Sequence, residues 1–338
     1  MAFEADTPEL PGSGGFRPQA YLRARPSGVT TLISAPDRLD EAGDARIGAR
    51  SLSSDGRFVL FQSEAPAFGA VLQNGRYGPQ VLLRDVVAGT TTLISAASDG
   101  AAGDGESYVG AIDGAGDKVV FGSTAPNITG PDPGNSVRSF VRDVATGATR
   151  MLDVSATVEP GDGNSFGLAI SSDGAKAAFA SSATNLPDTP PDNHSHAYLV
   201  DLATGAMQIV DRANDGAVGD GDASDLDLNA NGSRVAFRSN AENFGIANNG
   251  RSHVWVRDLP SSTLTWASVP EDGNAEHGQA VAPSLSADGH KVAFTNRDPN
   301  FGYGQTTDRR RPSCATSMPA RRPICRPASR GASSTRRS

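Results

Sequence analysis

The chain has 338 residues, of which 38 are Gly and 22 are Pro, and only 37% are apolar. This composition excludes a fold built from long helices, and no stretch approaches the roughly 18 apolar residues that a membrane helix needs. The net charge is −8, but nine Arg after Asp308 hide a net charge of −17 in residues 1–308. We do not expect nucleic acid as a partner, because a phosphate-binding face needs clustered Lys and Arg.

A short apolar segment that carries a Phe recurs five times, at intervals of 57 to 60 residues. A Gly stands five residues before each Phe, and Asp or Asn precedes that Gly in four of the five repeats. These pairs predict two-residue hairpin turns in which both central residues take positive φ. We expect the Phe side chains to be core; they are Phe61, Phe121, Phe179, Phe237 and Phe294.

About twenty residues after each Phe comes a second pair of short alternating segments, such as VLLRDVVAGTTTLIS. Each repeat therefore predicts four strands, and a four-stranded antiparallel unit with a period of about 58 residues is typical of a β-propeller blade. The predicted fold is all-β, a β-propeller over residues 1–305. Its blades are a partial one at 1–35, full ones near 50–95, 108–155, 168–212 and 226–268, and a partial last one at 283–305.

The blades resemble those of the TolB-like, WD-repeat-like propeller family, which read L-S-x-D-G-x-x-V-A-F-x-S and then V-x-V-x-D-L-x-T-G. The matching residues are Leu52–Ser63 with Val81–Gly89, and Leu285–Phe294. The resemblance implies six or seven blades around a central channel, and we expect six in the intact protein, which would be a monomer if the propeller closes. It implies no particular activity, because the shared residues are turn and core positions.

The N-terminal residues overlay the repeat. Phe3 lies 58 residues before Phe61, so Met1-Ala2-Phe3 aligns with Val235-Ala236-Phe237. We therefore expect the natural reading frame to extend upstream, where the first strand of this blade and any signal peptide would lie. The intact protein would then be extracellular or periplasmic, and the lack of a signal peptide in the given residues says nothing of localisation.

The strand pattern stops after Asp308, where a tail rich in Arg, Pro and Ser holds both cysteines, Cys314 and Cys325. One choice of codons for Ser313–Arg322, read one base earlier, gives Val-Arg-Asp-Val-Asp-Ala-Gly-Ala-Thr, which nearly repeats Val141–Thr149. We expect residues 306–338 to be a disordered basic tail, read out of frame. The alternative is a genuine tail for an acidic partner or a membrane surface. The cysteine-free body fits a secreted or envelope protein, although many cytosolic proteins also lack cysteine.

The loops that lead into the blades each carry a polar residue 17 positions before the repeat Phe; these are Asp44, Asp104, Asp162, Asp220 and His277. Three of the four Asp stand in Gly-Asp-Gly. A ring of carboxylates suits calcium or another divalent cation, because hard ions take several oxygen ligands. The alternative is turn chemistry, in which Asp bonds to nearby backbone between permissive glycines. No other cofactor is predicted.

Histidines recur near the start of one predicted strand in two neighbouring blades, as His194, His196 and His253. An exposed polar rim is expected there rather than a metal site, because the sequence fixes no further ligand. The chain has no nucleophile elbow, His-Glu-x-x-His motif, P-loop or paired Cys motif, so we predict no catalytic residue.

The sequence thus predicts a non-catalytic binding scaffold, secreted or envelope-associated, that binds a protein or glycan through the loop-rich, acidic face of the propeller. One alternative is an enzyme or an enzyme accessory domain, such as a metal-assisted lyase or the propeller gate of a peptidase. Another is a gene fragment without function, whose open propeller would leave strand edges unpaired.

Overall fold

The computed structural model describes residues 1–5, 10, 18–25, 27–34, 45–48, 50–64, 78–128, 136–270, 273–274, 279–296 and 311–316, the last range by its backbone alone. These residues form 22 strands in six antiparallel sheets, and no helix is present among them. Within this described part of the chain there is accordingly no helix of the length and apolarity that a membrane crossing needs. The predicted all-β fold is confirmed.

Four sheets have four strands each and follow the sequence repeat; we number them blades 2 to 5 in chain order. Their strands are β4 (Ala45–Arg46), β5 (Phe58–Ser63), β6 (Gln80–Asp85), β7 (Thr90–Leu93); β8 (Ser107–Ile112), β9 (Lys118–Ser123), β10 (Arg138–Asp143), β11 (Thr149–Met151); β12 (Ser165–Ile170), β13 (Lys176–Ser181), β14 (His196–Asp201), β15 (Met207–Ile209); β16 (Ala223–Leu228), β17 (Arg234–Ser239), β18 (His253–Asp258) and β19 (Thr263–Trp266).

The first and last sheets in chain order, blades 1 and 6, have three strands each among the described residues. They are β1 (Ala2–Ala5), β2 (Gln19–Arg23) and β3 (Thr30–Leu32), and β20 (Ala280–Leu285), β21 (Lys291–Asn296) and β22 (Arg311–Thr316). Strand β22 lies within residues 306–338, which the sequence predicts to be a disordered tail, and that division of the chain stays a prediction. Ladder hydrogen bonds are made by backbone groups, so an open edge such as that of β21 can pair a segment without a strand-like sequence. Residues 317–338 lie outside the described residues.

The first strands of the blades gather at a common axis. Strand β8 packs on β12, β12 on β16, and β16 on β20. Beyond them, the turns that end these strands are joined by backbone hydrogen bonds, from Ser54 N to Gly114 O and from Gly114 N to Ser172 O, both 2.8 Å. This arrangement is that of propeller blades around a narrow axis.

The repeated Phe side chains lie in the core, as predicted, with at most 2% of their surface exposed. Two of them stack on an aromatic ring of the next strand, Phe121 on Phe140 at 5.3 Å and Phe179 on Tyr198 at 5.4 Å. Such pairs bury large apolar areas and add a specific cross-strand contact.

The hairpin turns differ from the predicted two-residue type. In the turn of blade 2, only Gly56 has a positive φ, at +76°. Asp55 instead accepts hydrogen bonds from the Ser53 hydroxyl at 2.7 Å and from the Arg57 backbone N–H at 2.9 Å. Asp therefore contributes its side chain as an Asx turn, and only the Gly takes the left-handed conformation. The recurring Ser-x-Asp-Gly is a turn-stabilising network.

Candidate binding site at the propeller axis

A cavity of about 490 Å³ lies at the axis. It is lined by the first strands of blades 3 to 6 and, from blade 2, by Gly48 and Arg50. Most of the lining is apolar or small, with a few charged groups, which is the usual make-up of a small-ligand pocket, and the volume is in the usual range. The strands enter the cavity from the loop-rich end of the blades, where the Gly-Asp-Gly loops lie.

Two aromatic side chains in the cavity are exposed. Tyr108 of β8 and Phe166 of β12 each follow the first residue of their strand, and 37% and 40% of their surfaces are accessible. The Tyr108 hydroxyl donates a 2.6 Å hydrogen bond to Glu106 Oε2. This bond, together with burial, raises the pKa of Tyr108 to about 12, so the phenol stays neutral. Two adjacent blades thus present aromatic surface to the axis.

Bulges in the first strands shape the cavity wall. The register shifts between Phe166 and Ala169 in blade 4, and blades 3, 5 and 6 shift at the same place. Asp225 and Ala282 have φ of +51° and +52° at these bulges. A left-handed conformation costs roughly 1–2 kcal/mol for residues with a Cβ, and such strain gathers at binding sites. The bulges re-aim side chains toward the axis.

An ion pair crosses the axis at one end of the cavity. Arg50 Nη2 donates to Asp227 Oδ2 at 2.7 Å, and its Nε contacts Oδ1 of the same carboxylate. Asp227 also accepts the backbone N–H of Leu285 at 2.6 Å. Burial raises the pKa of the Asp227 carboxyl, and the charge of Arg50 opposes this effect. The pair joins blades 2, 5 and 6.

Arg50 reaches the axis because the first strand of blade 2 is interrupted. Arg46 faces Gln62 in the ladder, and the next bridge joins Leu52 to Val59. Between these two pairs, five residues of blade 2 therefore lie opposite only two residues of β5. At the bulge of blade 4, two residues of β12 lie opposite one residue of β13. The extra residues carry Arg50 out of the ladder, and its carbonyl instead accepts the N–H of Ile112 in blade 3 at 3.0 Å.

The Gly-Asp-Gly loops form clasps within their own blades. In three blades the backbone N–H of the Asp donates to an Asn side chain 23 residues later; the pairs are Asp104–Asn127, Asp162–Asn185 and Asp220–Asn243, at 3.0 to 3.2 Å. The Asp162 carboxylate also accepts the Thr184 hydroxyl at 2.6 Å and its backbone N–H at 2.5 Å. These bonds lower the pKa of Asp162. The Asp therefore joins two loops of the same blade, which differs from the predicted bond to its own nearby backbone.

The structure does not gather the predicted metal ligands. Among the described residues, no group of three or more His, Cys, Asp or Glu side chains is placed so that it could hold a metal ion. Asp44 and His277 lie outside the described residues. Calcium binding by the five residues therefore stays a prediction.

The predicted exposed rim of histidines is wrong for His196 and His253, which are buried. His196 Nδ1 lies 2.9 Å from Asp211 Oδ2, and its Nε2 lies 3.1 Å from Asp192 Oδ1. Burial alone would lower the pKa of His196, but the two carboxylates outweigh it and raise the pKa above its ordinary value. Each histidine begins the third strand of its blade, where the sheet is covered by the next blade.

The same buried position carries a polar pair in all five of blades 1 to 5. In blades 2 to 5 a residue at the start of the third strand bonds or lies close to a residue 15 positions later, just after the fourth strand, and in blade 1 the same spacing joins the start of β2 to a residue after β3. The pairs are Gln19–Ser34, Gln80–Ser95, Arg138–Asp153, His196–Asp211 and His253–Ser268. In Arg138–Asp153 the charges are 3.8 Å apart, and burial raises the pKa of Asp153 to about 7. This polar pair was not predicted, although its constant spacing of 15 residues is visible in the sequence.

Comparison with known proteins supports the fold. No family model matches the chain, and no curated protein matches it either. The β-propeller domain of the Trilobed protease from Pyrococcus furiosus is similar with a TM-score of 0.51 and 10% identity, over 87% of this chain and 74% of that one. Oligogalacturonate lyase from Vibrio parahaemolyticus is similar with a TM-score of 0.51 and 12% identity, over 88% of this chain and 68% of that one.

TolB from Acinetobacter baumannii is also similar, with a TM-score of 0.47 and 14% identity over 94% of this chain. This chain spans 65% of the length of that TolB. The fold of the chain is thus that of a β-propeller, as the sequence predicts. Identities this low carry no information on ligand or activity.

Proposed function

We propose that this chain is a non-catalytic binding scaffold that takes a protein or glycan ligand at the axial cavity, on the loop-rich side of the propeller. The observation that carries the proposal is the pair Tyr108 and Phe166, two exposed aromatic side chains that line a concave site. Aromatic rings bind sugar faces and peptide side chains well, because they bury large apolar areas with few rotatable bonds.

The charges around the cavity favour a neutral or cationic ligand. The guanidinium groups at the cavity are already engaged by carboxylates. Arg50 is paired with Asp227, and the Nη1 of the neighbouring Arg238 lies 3.4 Å from Asp225 Oδ2. The surrounding loops add further carboxylates, so an anionic ligand would meet like charge. We also propose that the protein acts outside the cytoplasm, which the cysteine-free body supports. The enzyme and fragment alternatives stay predictions.

The test is a screen of the purified chain against a glycan array and a displayed library of short peptides. We expect ligands whose binding weakens by about tenfold or more in the double variant Tyr108→Ala/Phe166→Ala, which corresponds to the loss of an aromatic contact. The matched control is Val158→Ala, which removes an exposed apolar side chain that does not line the cavity. Ligands that bind the double variant as well as the wild type would contradict the proposal.

A further inference from the structure

The two exposed aromatic side chains of the axial cavity follow the same kind of loop in adjacent blades. Tyr108 stands three residues after Gly105, and Phe166 stands three residues after Gly163, and each Gly ends a Gly-Asp-Gly loop. These loop ends are tightly packed, since a Cβ at either Gly would meet backbone atoms of its own blade at 2.5 or 2.6 Å. The position of each ring therefore depends on the contacts that hold the end of its loop.

Each of these Gly residues accepts a hydrogen bond from a buried side chain of the preceding blade. Gln80 Nε2 donates to Gly105 O at 2.9 Å, and Arg138 Nη1 donates to Gly163 O at 2.7 Å. Both donors begin the third strand of their blade, and at most 4% of their surface is exposed. A hydrogen bond in such a buried place is strengthened by the low local dielectric. The preceding blade thus holds the loop end that leads to each aromatic ring.

In blade 2 the buried partner of the donor sets the direction in which it points. Ser95 Oγ donates to Gln80 Oε1 at 2.6 Å, so the other end of the amide, Nε2, is the end turned toward Gly105. The residue after this Gly is Glu106, which accepts the Tyr108 hydroxyl at 2.6 Å. The hold on the loop end therefore also places the acceptor of the phenol.

In blade 3 a carboxylate adds a contact to the same segment. Asp153 Oδ2 lies 3.8 Å from Arg138 Nη1 and accepts the Ser165 hydroxyl at 2.8 Å. Ser165 directly precedes Phe166, and its backbone N–H donates to Val137 O at 2.9 Å. Blade 3 thus holds the chain before this ring through a Gly carbonyl, a hydroxyl and a backbone N–H.

Blade 4 shows a different arrangement, and no aromatic side chain follows it at the same position. The residue that begins its third strand is His196, whose two ring nitrogens lie close to Asp211 and Asp192 of its own blade, at 2.9 and 3.1 Å. At the position of Phe166, counted back from the repeat Phe, blade 5 has Ser224, which is buried. In these three successive blades, the side chain that reaches the next Gly carbonyl accompanies an exposed aromatic ring.

We propose that Gln80 and Arg138 are positioning residues of the axial binding site, which fix Tyr108 and Phe166 through the Gly carbonyls of the next blade. The inference rests on the binding function proposed for this cavity. It adds the means by which two rings on separate blades keep a fixed relative position. A site whose side chains are ordered before the ligand arrives loses less conformational entropy on binding.

The test compares Met with Gln at one position. In Arg138→Gln/Asp153→Ser, blade 3 acquires the pair that blade 2 has at Gln80 and Ser95, so a donor to Gly163 is kept. In Arg138→Met/Asp153→Ser, a side chain of similar length has no N–H to donate. Both variants remove the two buried charges together, so neither leaves an unpaired carboxylate in the interior.

The readout is the fluorine NMR resonance of para-fluorophenylalanine in place of Phe166 or, in separate samples, of fluorotyrosine in place of Tyr108. With the label in blade 4, the Gln variant should stay close to the wild type. The Met variant should give a shifted or broadened resonance, because the loop end loses its anchor. The label in blade 3 should not respond to either variant. Gln80→Met should alter the blade 3 label and leave the blade 4 label unchanged, and it repeats the test in blade 2 if the Arg138 variants do not fold.

Ligand affinity gives a second reading. The strongest ligand from the glycan and peptide screen should bind the Met variant about fivefold more weakly than the Gln variant, as expected for the loss of one hydrogen bond. Equal fluorine spectra of the Met and Gln variants, or the same change at both labels in every variant, would overturn the inference whether or not a ligand is found. A change confined to the expected label, with unchanged ligand affinity, would support the positioning role and contradict the function proposed for the cavity.

Discussion

Arg50 of blade 2 and Asp227 of blade 5, which are 177 residues apart in the chain, form a two-point ion pair across the propeller axis. Arg50 lines the axial cavity and also a second cavity of about 460 Å³, so the pair lies where these two cavities meet. Asp227 has only 4% of its surface exposed, and it also holds the backbone of blade 6 through Leu285. One carboxylate thus ties together three blades that are distant in sequence.

Removal of Arg50 should destabilise the fold. In Arg50→Ala, Asp227 is left buried without its counter-charge, and we expect the free energy of unfolding in urea to fall by about 2 kcal/mol, below the full cost of breaking a buried pair because Arg50 is partly exposed. The matched control is Arg57→Ala, which breaks the surface pair with Asp85 and should cost less than about 1 kcal/mol. Equal losses in the two variants would contradict the cross-axis role.

The buried His196 makes stability depend on pH. Its raised pKa means that the folded state holds the proton more tightly than the unfolded chain, whose histidine pKa is about 6.5. The stabilisation is therefore fully present below about pH 6.5 and is lost as pH rises through the folded value. Urea unfolding of the wild type should show this decline as the pH rises above about 6.5.

A matched variant isolates that effect. His196→Gln/Asp211→Ser gives blade 4 the neutral Gln–Ser pair that blade 2 has at Gln80 and Ser95. We expect the stability of the double variant to decline less with rising pH than that of the wild type. Parallel pH profiles for the double variant and the wild type would show that His196 is not the titrating group.

The Asp162 clasp predicts a structural effect of substitution. Asp162→Ala removes the acceptor of two Thr184 hydrogen bonds at the surface, so stability should fall by about 1 kcal/mol. Calcium should leave the thermal midpoint of the wild type unchanged, since the carboxylate is already engaged. A calcium-induced rise in the midpoint that Asp162→Ala abolishes would instead support the predicted carboxylate ring.

The close approach at the axis makes Gly114 sensitive to substitution. A Cβ at Gly114 would lie 2.7 Å from the Ser172 carbonyl oxygen, so Gly114→Ala must push apart two blades and should cost about 2–3 kcal/mol. Gly56→Ala, in open space but with φ of +76°, should cost only about 1 kcal/mol, the price of the left-handed conformation. Thermal and urea unfolding would rank the two, and the reverse order would contradict the tight axis.

The blades were predictable from the sequence because each is a local unit. The spacing of Phe121 and Phe179, and the Gly five residues before each, place two strands and a turn within a single repeat. The turn type was mispredicted because Asp55 acts through its side chain, whereas the Asp-Gly pattern was interpreted by backbone conformation alone.

The axial site could not be predicted because it joins repeats that are far apart in sequence. The position of Arg50 depends on an irregular bulge, and its partner is set by the rotation between blades. One signal was present, since Asp227 is charged where the first strands of blades 3 and 4 have Ala111 and Ala169. A charged residue at a buried position where other blades have a small residue indicates a specific partner for the charge.

The binding role is tested most directly by isothermal titration calorimetry of the strongest ligand from the glycan and peptide screen. The wild type should bind one equivalent, and Tyr108→Ala/Phe166→Ala should bind at least about tenfold more weakly while its thermal midpoint stays close to that of the wild type, because both side chains are partly exposed. Equal affinities in the two proteins, or no ligand in either library, would contradict a binding scaffold that works through its axial cavity.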